Sequence, residues 1–361
     1  MWLTSSSIGR KFVMAITGIA LVLFVTFHVL MNTVAIAWPT AYNVICEFLG
    51  ANWYALIASA GLALLFIIHI IYACWLTVQN RKARGNDRYL VTSRPPLVEW
   101  SSKNMLVLGL VILAFLVVHL IQFWYKMQWQ EIVGHMWSTN GVTFAPEFGT
   151  LFIQAAFGEF WTIIVYCVGF IALWFHMTHG FWSMFHSVGW DNNHWIERLK
   201  CIGYWWTTIV VALFVAQAIV FTVLASKDHY LTDPKLQEQY AHYWEEESEA
   251  ILMEMQGEVN QAGLNRQPRD QYEYMQLQQA YGQLMERLAP QYIGKIDAIQ
   301  AAHQALFPNA QNVMSVMRLE GLGEELRGIL NNPADQGAPE PGPEPFEPEE
   351  EAQADEIPVL Q

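Results

Sequence analysis

Four long apolar stretches of the chain each contain a histidine at nearly the same distance from the start of the stretch. Counted from the charged or polar residue that opens each stretch, these histidines come 16 or 17 residues in: His28, His69, His119 and His176. If the stretches are antiparallel helices rising about 1.5 Å per residue, the first and third histidines share one depth and the second and fourth another. Two facing imidazoles occupy both axial positions of a haem iron. The spacing therefore predicts an outer haem between His28 and His119 and an inner haem between His69 and His176.

A single histidine inside a membrane helix has a simpler explanation, because it can hydrogen-bond to a neighbouring backbone group or to water. Four at matched depths favour a cofactor, since ionisable residues within a membrane tend to mark functional sites. Iron with two histidine ligands has no open position for oxygen, so electron transfer is the predicted chemistry. The fourth stretch also holds His179, one turn after His176 on nearly the same face, and spacing alone does not choose between the two.

Five stretches lack Asp, Glu, Lys and Arg and can each supply the roughly 20 apolar residues that cross about 30 Å of hydrocarbon. Their charged boundaries are Lys11 to Glu47, Glu47 to Arg81, Lys103 to Lys126, Glu159 to Asp191, and Lys200 to Lys227. A charge at the bilayer centre costs about 2.5 kcal/mol or more, which explains why such stretches are uncharged. The predicted fold class is all-α, a bundle of five transmembrane helices with a C-terminal extension.

The charges divide the chain into two contrasting parts. Residues 227–361 hold 25 of the 33 Asp and Glu and 8 of the 19 Lys and Arg, a net charge of −17, whereas residues 1–226 sum to +3. Lys and Arg cluster before the first stretch, between the second and third, and between the fourth and fifth, and are missing from 38–52 and 127–158. Because basic loops stay in the cytoplasm, we expect a multi-pass protein of the cytoplasmic membrane with a cytoplasmic N-terminus and a periplasmic or otherwise extracytoplasmic extension.

Three domains are predicted along the chain: residues 1–226 as the di-haem membrane domain, 227–331 as an acidic helical extension, and 332–361 as a disordered tail. Helices are expected over roughly 234–256, 268–289 and 311–331. The last segment is rich in Pro, Glu, Gly and Ala and cannot bury enough apolar surface to fold.

The four cysteines, Cys46, Cys74, Cys167 and Cys201, are far apart and lie in or beside apolar runs. They are expected to be small apolar fillers, not a disulfide or metal set. The sequence has no CxxCH motif for covalent haem attachment, so coordination and packing alone would hold the haems.

The layout of histidines resembles the di-haem cytochrome b membrane subunit of the succinate:quinone oxidoreductase family, in its single five-helix form. Over about residues 5–226, the resemblance rests also on Ser7-Ile8-Gly9-Arg10-Lys11 and on His176-Met177-Thr178-His179-Gly180-Phe181-Trp182-Ser183. The stretches 46–53 and 79–89 are similar to fumarate reductase subunits of anaerobic Bacteroidota. In this family the axial histidine precedes the glycine by four residues, which implies His176 as the ligand and His179 as a residue of the surrounding shell.

The resemblance implies a role in anaerobic respiration, as the membrane anchor of a quinol:fumarate reductase or succinate dehydrogenase. Electrons from menaquinol would pass through two b haems to an iron–sulfur subunit, and a flavoprotein with FAD would carry the dicarboxylate site. Both partner subunits would dock on the cytoplasmic face. The alternative is a di-haem cytochrome b of another membrane complex, a hydrogenase or a formate dehydrogenase. A non-catalytic scaffold whose histidines bind nothing is a third hypothesis.

Further residues are assigned only as candidates. Glu47 is a candidate acceptor for a quinol proton, or simply a solvated interfacial carboxylate. Arg10, Trp100 and Lys103 are candidates to bind haem propionates, or membrane-interface anchors. Some relatives carry a carboxylate two residues before the axial histidine of the fourth stretch as a proton route, and here that position is Trp174.

Membrane lipid is an expected surrounding and nucleic acid is not an expected partner. The sequence is compatible with either direction of the dicarboxylate reaction, with a dimer of complexes and with a separate partner for the extension.

Overall fold

The computed structural model describes residues 6–50, 52–84, 100–134, 137–139, 142–190, 194–306 and 314–331. Within these ranges, five helices are long and apolar enough to cross a membrane, which confirms the predicted all-α fold class. They are α1 (Ser7–Ala37), α3 (Trp53–Arg84), α4 (Trp100–Gln122), α7 (Phe160–Ser187) and α8 (Ile196–Ala225). The predicted disordered tail and residues 85–99 of the basic segment before α4 lie outside the described residues.

The N-terminus of α1 and several polar side chains within the spans satisfy backbone groups of their own helices. The Ser6 hydroxyl caps α1 by accepting a 2.9 Å hydrogen bond from the backbone N–H of Gly9. Within the spans, Thr26, Thr33 and Thr77 each donate to the carbonyl four residues earlier at 2.8–2.9 Å. Such back-bonding lets a hydroxyl lie in hydrocarbon without leaving its donor unsatisfied.

The third span continues beyond α4 through a π-helix, Tyr125–Trp129, into the short α5, Gln130–Ile132. The N–H of Trp129 donates to the carbonyl of Trp124, five residues earlier, which widens the turn. At its end, the Glu131 carboxylate packs against Gly50, where any β-carbon would collide with it.

Short elements that the sequence did not predict connect the spans. These are α2 (Pro39–Gly50), the antiparallel strands β1 (Trp137–Thr139) and β2 (Val142–Phe144), α6 (Gly149–Phe157) and α9 (His229–Thr232). Helix α6 packs against α2, α8 and α9, and almost all of its residues are buried. We call α2, α6, α9 and residues 234–243 the cap.

A buried polar network holds the cap together. The Asn43 side-chain oxygen accepts hydrogen bonds from the backbone N–H and the hydroxyl of Thr150, at 3.0 and 2.9 Å. The Asn43 amide donates to Gln239 at 3.0 Å, and the Tyr240 hydroxyl lies 2.8 Å from that of Thr150. Nearby, burial raises the pKa of the Cys46 thiol to about 12. The thiol therefore stays protonated and uncharged.

The extension forms three further helices, α10 (Pro234–Gln261), α11 (Gln271–Leu306) and α12 (Met314–Asn331). The prediction of three helices is confirmed, but the expected end of the second near residue 289 is wrong. Helix α11 continues through Pro290 because the residues beyond it, Tyr292, Ile296 and Ile299, are each at most 1% exposed. Burial of that stripe outweighs the hydrogen bond that proline removes.

The described residues divide into two compact units. One comprises the described parts of 1–243 and 301–310, and the other those of 244–300 and 311–361. The first unit therefore extends past the predicted boundary at residue 226 and includes the beginning of α10. Within the second unit, Arg327 pairs with Asp297 at 2.5 Å, and Gly323 lies against Ile296.

Candidate functional site

The histidines meet in the two pairs expected from their depths. His28 on α1 and His119 on α4 have ring centroids 5.8 Å apart with an interplanar angle of 84°. His69 on α3 and His176 on α7 have centroids 6.4 Å apart at 62°. We call these the outer pair and the inner pair.

Each pair crosses a diagonal of the bundle. Helix α1 packs against α3 and α7, and α4 packs against α7 and more sparsely against α3, so these four helices form a ring. Neither α1 with α4 nor α3 with α7 is among the closely packed pairs of helices. Both pairs of imidazoles therefore converge on the centre of the ring from opposite corners, which is where a cofactor shared by the four helices would lie.

The separation of the rings fits iron between them. Two imidazoles that bind the same metal ion from opposite sides, each at about 2 Å, have their ring centroids about 6 Å apart. The observed 5.8 and 6.4 Å lie on either side of that value. All four side chains are half-buried despite their positions in the middle of the spans.

Two glycines allow the distance between the pairs to be counted along the helices. A β-carbon built on Gly18 of α1 would lie 3.9 Å from His69, and one on Gly109 of α4 would lie 3.7 Å from His176. These glycines mark the level of the inner pair, and each precedes the outer-pair histidine of its own helix by ten residues. At 1.5 Å per residue, the two pairs are about 15 Å apart along the bundle.

Hydrogen bonds orient one ring of each pair. His119 Nδ1 lies 3.0 Å from the Tyr166 hydroxyl, which donates to the Gln122 side-chain oxygen at 3.0 Å. His69 Nδ1 lies 3.1 Å from the Thr17 hydroxyl, which donates to the carbonyls of its own helix. A hydroxyl that donates elsewhere accepts from Nδ1–H, and the Nε2 lone pair is then available to a metal.

The other two rings are held less firmly. His28 Nε2 lies 3.3 Å from the Asn32 amide nitrogen, so Asn32 must turn away before that nitrogen can bind iron. His176 Nδ1 is buried and has no hydrogen-bond partner among the described residues. The type, number and separation of the imidazoles fit two bis-histidine haem sites. In His69 and His119, the hydrogen bond at Nδ1 also leaves Nε2 available to iron.

Two imidazoles are too few to hold a bare metal ion, whereas a porphyrin supplies four more nitrogens. Among the residues that the structure describes, no group of three or more His, Cys, Asp or Glu could hold a metal ion. The four cysteines lie singly as free thiols.

The second histidine of α7 has a different environment. The His179 ring faces Trp182, with centroids 5.0 Å apart at 82°, while His176 is the ring that meets His69. The structure thus distinguishes two residues that spacing left equivalent.

The remaining predicted residues are placed at the periphery. Glu47 and Lys103 are exposed, and Trp100 is 60% exposed and contacts Phe175 at 5.2 Å between centroids. Arg10 lies over the Trp75 ring at 5.3 Å. None of these contacts places them beside the histidine pairs.

Arg10 has a counterpart that the sequence analysis did not single out as a site residue. Lys200 lies over the Trp182 ring at 5.3 Å and also pairs with Glu197 at 3.0 Å. Trp75 and Trp182 each follow an inner-pair histidine by six residues, a repeat that was visible in the sequence. Tyr166, Gln122 and Thr17 were also missed, because nothing in their spacing indicates which way they face.

Comparisons with protein-family models, with curated proteins and with solved structures returned no match to this chain.

Proposed function

We propose that this chain is the membrane-embedded di-haem cytochrome b of a quinol:fumarate reductase or succinate dehydrogenase. One observation carries the proposal: four histidines from four helices meet as two pairs, about 15 Å apart along the bundle, at the separation that iron requires. His28 and His119 would hold the outer haem, and His69 and His176 the inner haem.

The residues themselves define what such a site can do. Haem bound there would supply reversible one-electron redox chemistry. The four imidazoles would be the protein's ligands to the two haems, and Tyr166 and Thr17 orient the rings of His119 and His69 through Nδ1. An arrangement of this kind supports electron transfer, with little movement of the ligands between oxidation states.

The assignment to this particular complex is supported by the resemblance of the sequence. Under the proposal, menaquinol is oxidised at the membrane, and the dicarboxylate reaction takes place on a partner flavoprotein that carries FAD. An iron–sulfur subunit lies between them, and both partners dock on the cytoplasmic face. We infer that Glu47, exposed on α2, accepts a quinol proton.

The first test is haem content. Complex purified in mild detergent should contain two haems b per chain and show a b-type α-band in the reduced-minus-oxidised spectrum. Substitution of alanine for His28 or His119 should remove one haem and leave the other. Substitution of alanine for His69 or His176 in the wild-type chain should instead remove the inner haem and leave the outer haem.

His179→Ala is the matched control, since His179 lies one turn from His176 on the same helix and should be dispensable for haem binding. If His179→Ala removes a haem and His176→Ala does not, the inner ligand is wrongly assigned. A wild-type complex with fewer than two haems would refute the proposal.

The second test concerns the reaction. The complex should co-purify with a flavoprotein and an iron–sulfur subunit and should reduce fumarate with a menaquinol analogue. The four histidine variants should lose the quinol-dependent reaction and keep fumarate reduction by an artificial donor that reduces the partner subunits directly. Co-purification of a hydrogenase or formate dehydrogenase instead would reassign the complex and leave the haem sites intact.

A further inference from the structure

Tyr166 is not one of the proposed ligands, but its hydroxyl lies directly against an outer-pair imidazole. From Tyr166 a buried chain of hydrogen bonds continues to two further side chains. His119 Nδ1 lies 3.0 Å from the Tyr166 hydroxyl, that hydroxyl donates to Gln122 at 3.0 Å, and the Gln122 amide donates to Thr162 at 3.1 Å. Tyr166, Gln122 and Thr162 are 4%, 7% and 0% exposed. Water cannot replace any link of this chain without rearrangement.

The direction of the protons follows from the last link. The Gln122 amide nitrogen is committed to Thr162, so its oxygen faces Tyr166 and accepts the hydroxyl hydrogen. The Tyr166 oxygen is then free to accept a hydrogen from His119 Nδ1. The opposite arrangement would leave the buried Gln122 oxygen without a donor, which is unfavourable.

Aromatic packing prevents the tyrosine from moving out of this position. The Tyr166 ring is in edge-to-face contact with Phe115 at 5.0 Å and with Phe170 at 5.9 Å between centroids. On another side it meets Phe157, the last residue of α6, at 5.1 Å. Three rings from α4, α6 and α7 thus hold the hydroxyl where His119 needs it.

We infer that Tyr166 is a positioning residue that sets the reduction potential of the outer haem by accepting the Nδ1–H hydrogen bond of His119. The inference rests on the proposed function, since it concerns the same outer pair. A hydrogen bond from Nδ1–H makes the imidazole a stronger electron donor to its metal, which favours the oxidised iron and lowers the potential. Removal of the acceptor should therefore raise the potential.

The inner pair has a comparable acceptor of different origin, which provides the matched control. His69 Nδ1 lies 3.1 Å from Thr17, whose hydroxyl donates to Val13 and Met14 of its own helix at 3.0 and 3.1 Å. The direction of the Thr17 hydroxyl hydrogen is set within α1, and no residue of the Tyr166 hydrogen-bond chain contacts Thr17 or His69 in these bonds. Each hydroxyl should therefore affect one haem only.

The experiment is a redox titration of the purified complex, followed at the α-band, with Tyr166→Phe and Thr17→Val compared with wild type. Tyr166→Phe should raise one of the two potentials by up to about 59 mV, which for one electron corresponds to a tenfold change in the oxidised-to-reduced ratio. Thr17→Val should shift the other. Tyr204→Phe, which removes a hydroxyl from a 44% exposed tyrosine on α8, should shift neither.

Gln122→Leu provides a second route if Tyr166→Phe lowers haem content. It keeps the Tyr166 hydroxyl but removes the group that turns the hydroxyl hydrogen away from His119. Tyr166 then becomes a weaker hydrogen-bond acceptor, so the outer potential should again rise, by less than in Tyr166→Phe. An unchanged outer potential in either haem-loaded variant, or equal shifts of both potentials in Tyr166→Phe, would overturn the inference. A wild-type complex without haem would refute the proposed function, whereas a two-haem complex with an unresponsive outer potential would refute only the role of Tyr166.

Discussion

Phe115 links the packing of two helices to the outer pair. Its ring stacks on His119 at 5.9 Å between centroids and also lies directly over Gly169 of α7. A β-carbon on Gly169 would lie 2.5 Å from Phe115 Cγ and 2.7 Å from Cδ2, closer than side-chain atoms approach. Glycine at this position lets α4 and α7 come together at the level where the histidines meet.

Gly169→Ala should therefore destabilise the bundle and disturb the outer pair. The new methyl group must displace Phe115, at a cost of about 1–3 kcal/mol for overpacking. The expected result is a lower melting temperature in detergent and a smaller fraction of the outer haem retained.

Gly61→Ala is the control for this substitution. Gly61 is exposed on α3, and a β-carbon there has nothing within 4 Å, so stability should be unchanged or slightly higher. Equal losses in both variants would mean that the effect is not due to Phe115.

The histidine pairing was predictable at this scale and the partners of the histidines were not. The rise of a helix converts residue number into depth, so His28 had to lie level with His119 and His69 with His176. The rotation of each helix about its axis depends on packing against its neighbours. For that reason the sequence could not show that Tyr166 faces His119, that Thr17 faces His69, or that His176 faces the centre while His179 faces Trp182.

At the scale of elements, the cap depends on one buried amide. Asn43 is 2% exposed and satisfies Thr150 twice and Gln239 once, so it joins α2, α6 and α10. The Thr150 N–H belongs to the first turn of α6 and has no partner within that helix. Asn43 therefore caps α6 from a distant part of the chain.

Asn43→Ala should lower the melting temperature of the complex measured by tryptophan fluorescence. The substitution leaves the buried N–H and hydroxyl of Thr150 without their acceptor, which costs about 1–3 kcal/mol. Asn52→Ala should have little effect, because the half-buried Asn52 side chain donates to the carbonyl of Phe48 four residues earlier and joins no buried network. Similar melting temperatures for Asn43→Ala and wild type would show that the network does not stabilise the cap.

The cap elements were not predicted because nothing local requires them. The sequence predicts 38–52 and 127–158 only as loops between apolar stretches, and their lack of Lys and Arg indicates a side of the membrane and not a helix. Helix α6 has nine residues, too few to be stable alone, and forms because α2, α8 and α9 bury it. The five spans needed no such context, since hydrocarbon itself enforces helical hydrogen bonding.

At the scale of the whole molecule, the distribution of charge predicts how the chain crosses the membrane. The described helices include five that can span it, so the two ends should lie on opposite sides. Basic residues before α1, after α3 and before α8 predict a cytoplasmic location for those segments, and the net charge of −17 over residues 227–361 belongs to the segment predicted on the other side. A transmembrane potential that is negative inside also opposes export of the basic segments.

Reporter fusions test this orientation directly. Alkaline phosphatase, which is active only outside the cytoplasm, should be active when fused after Gly50 or after Asn331 and inactive when fused after Arg84. A fluorescent protein that folds only in the cytoplasm should give the reverse pattern. The fusion after Gly50 is the internal control, because it lies one span from Arg84. Opposite results at all three sites would invert the orientation, and the same result at Gly50 and Arg84 would show that α3 does not cross the membrane. With the expected pattern, the outer pair lies nearer the extracytoplasmic surface and the inner pair nearer the side on which the basic segments could bind partner subunits.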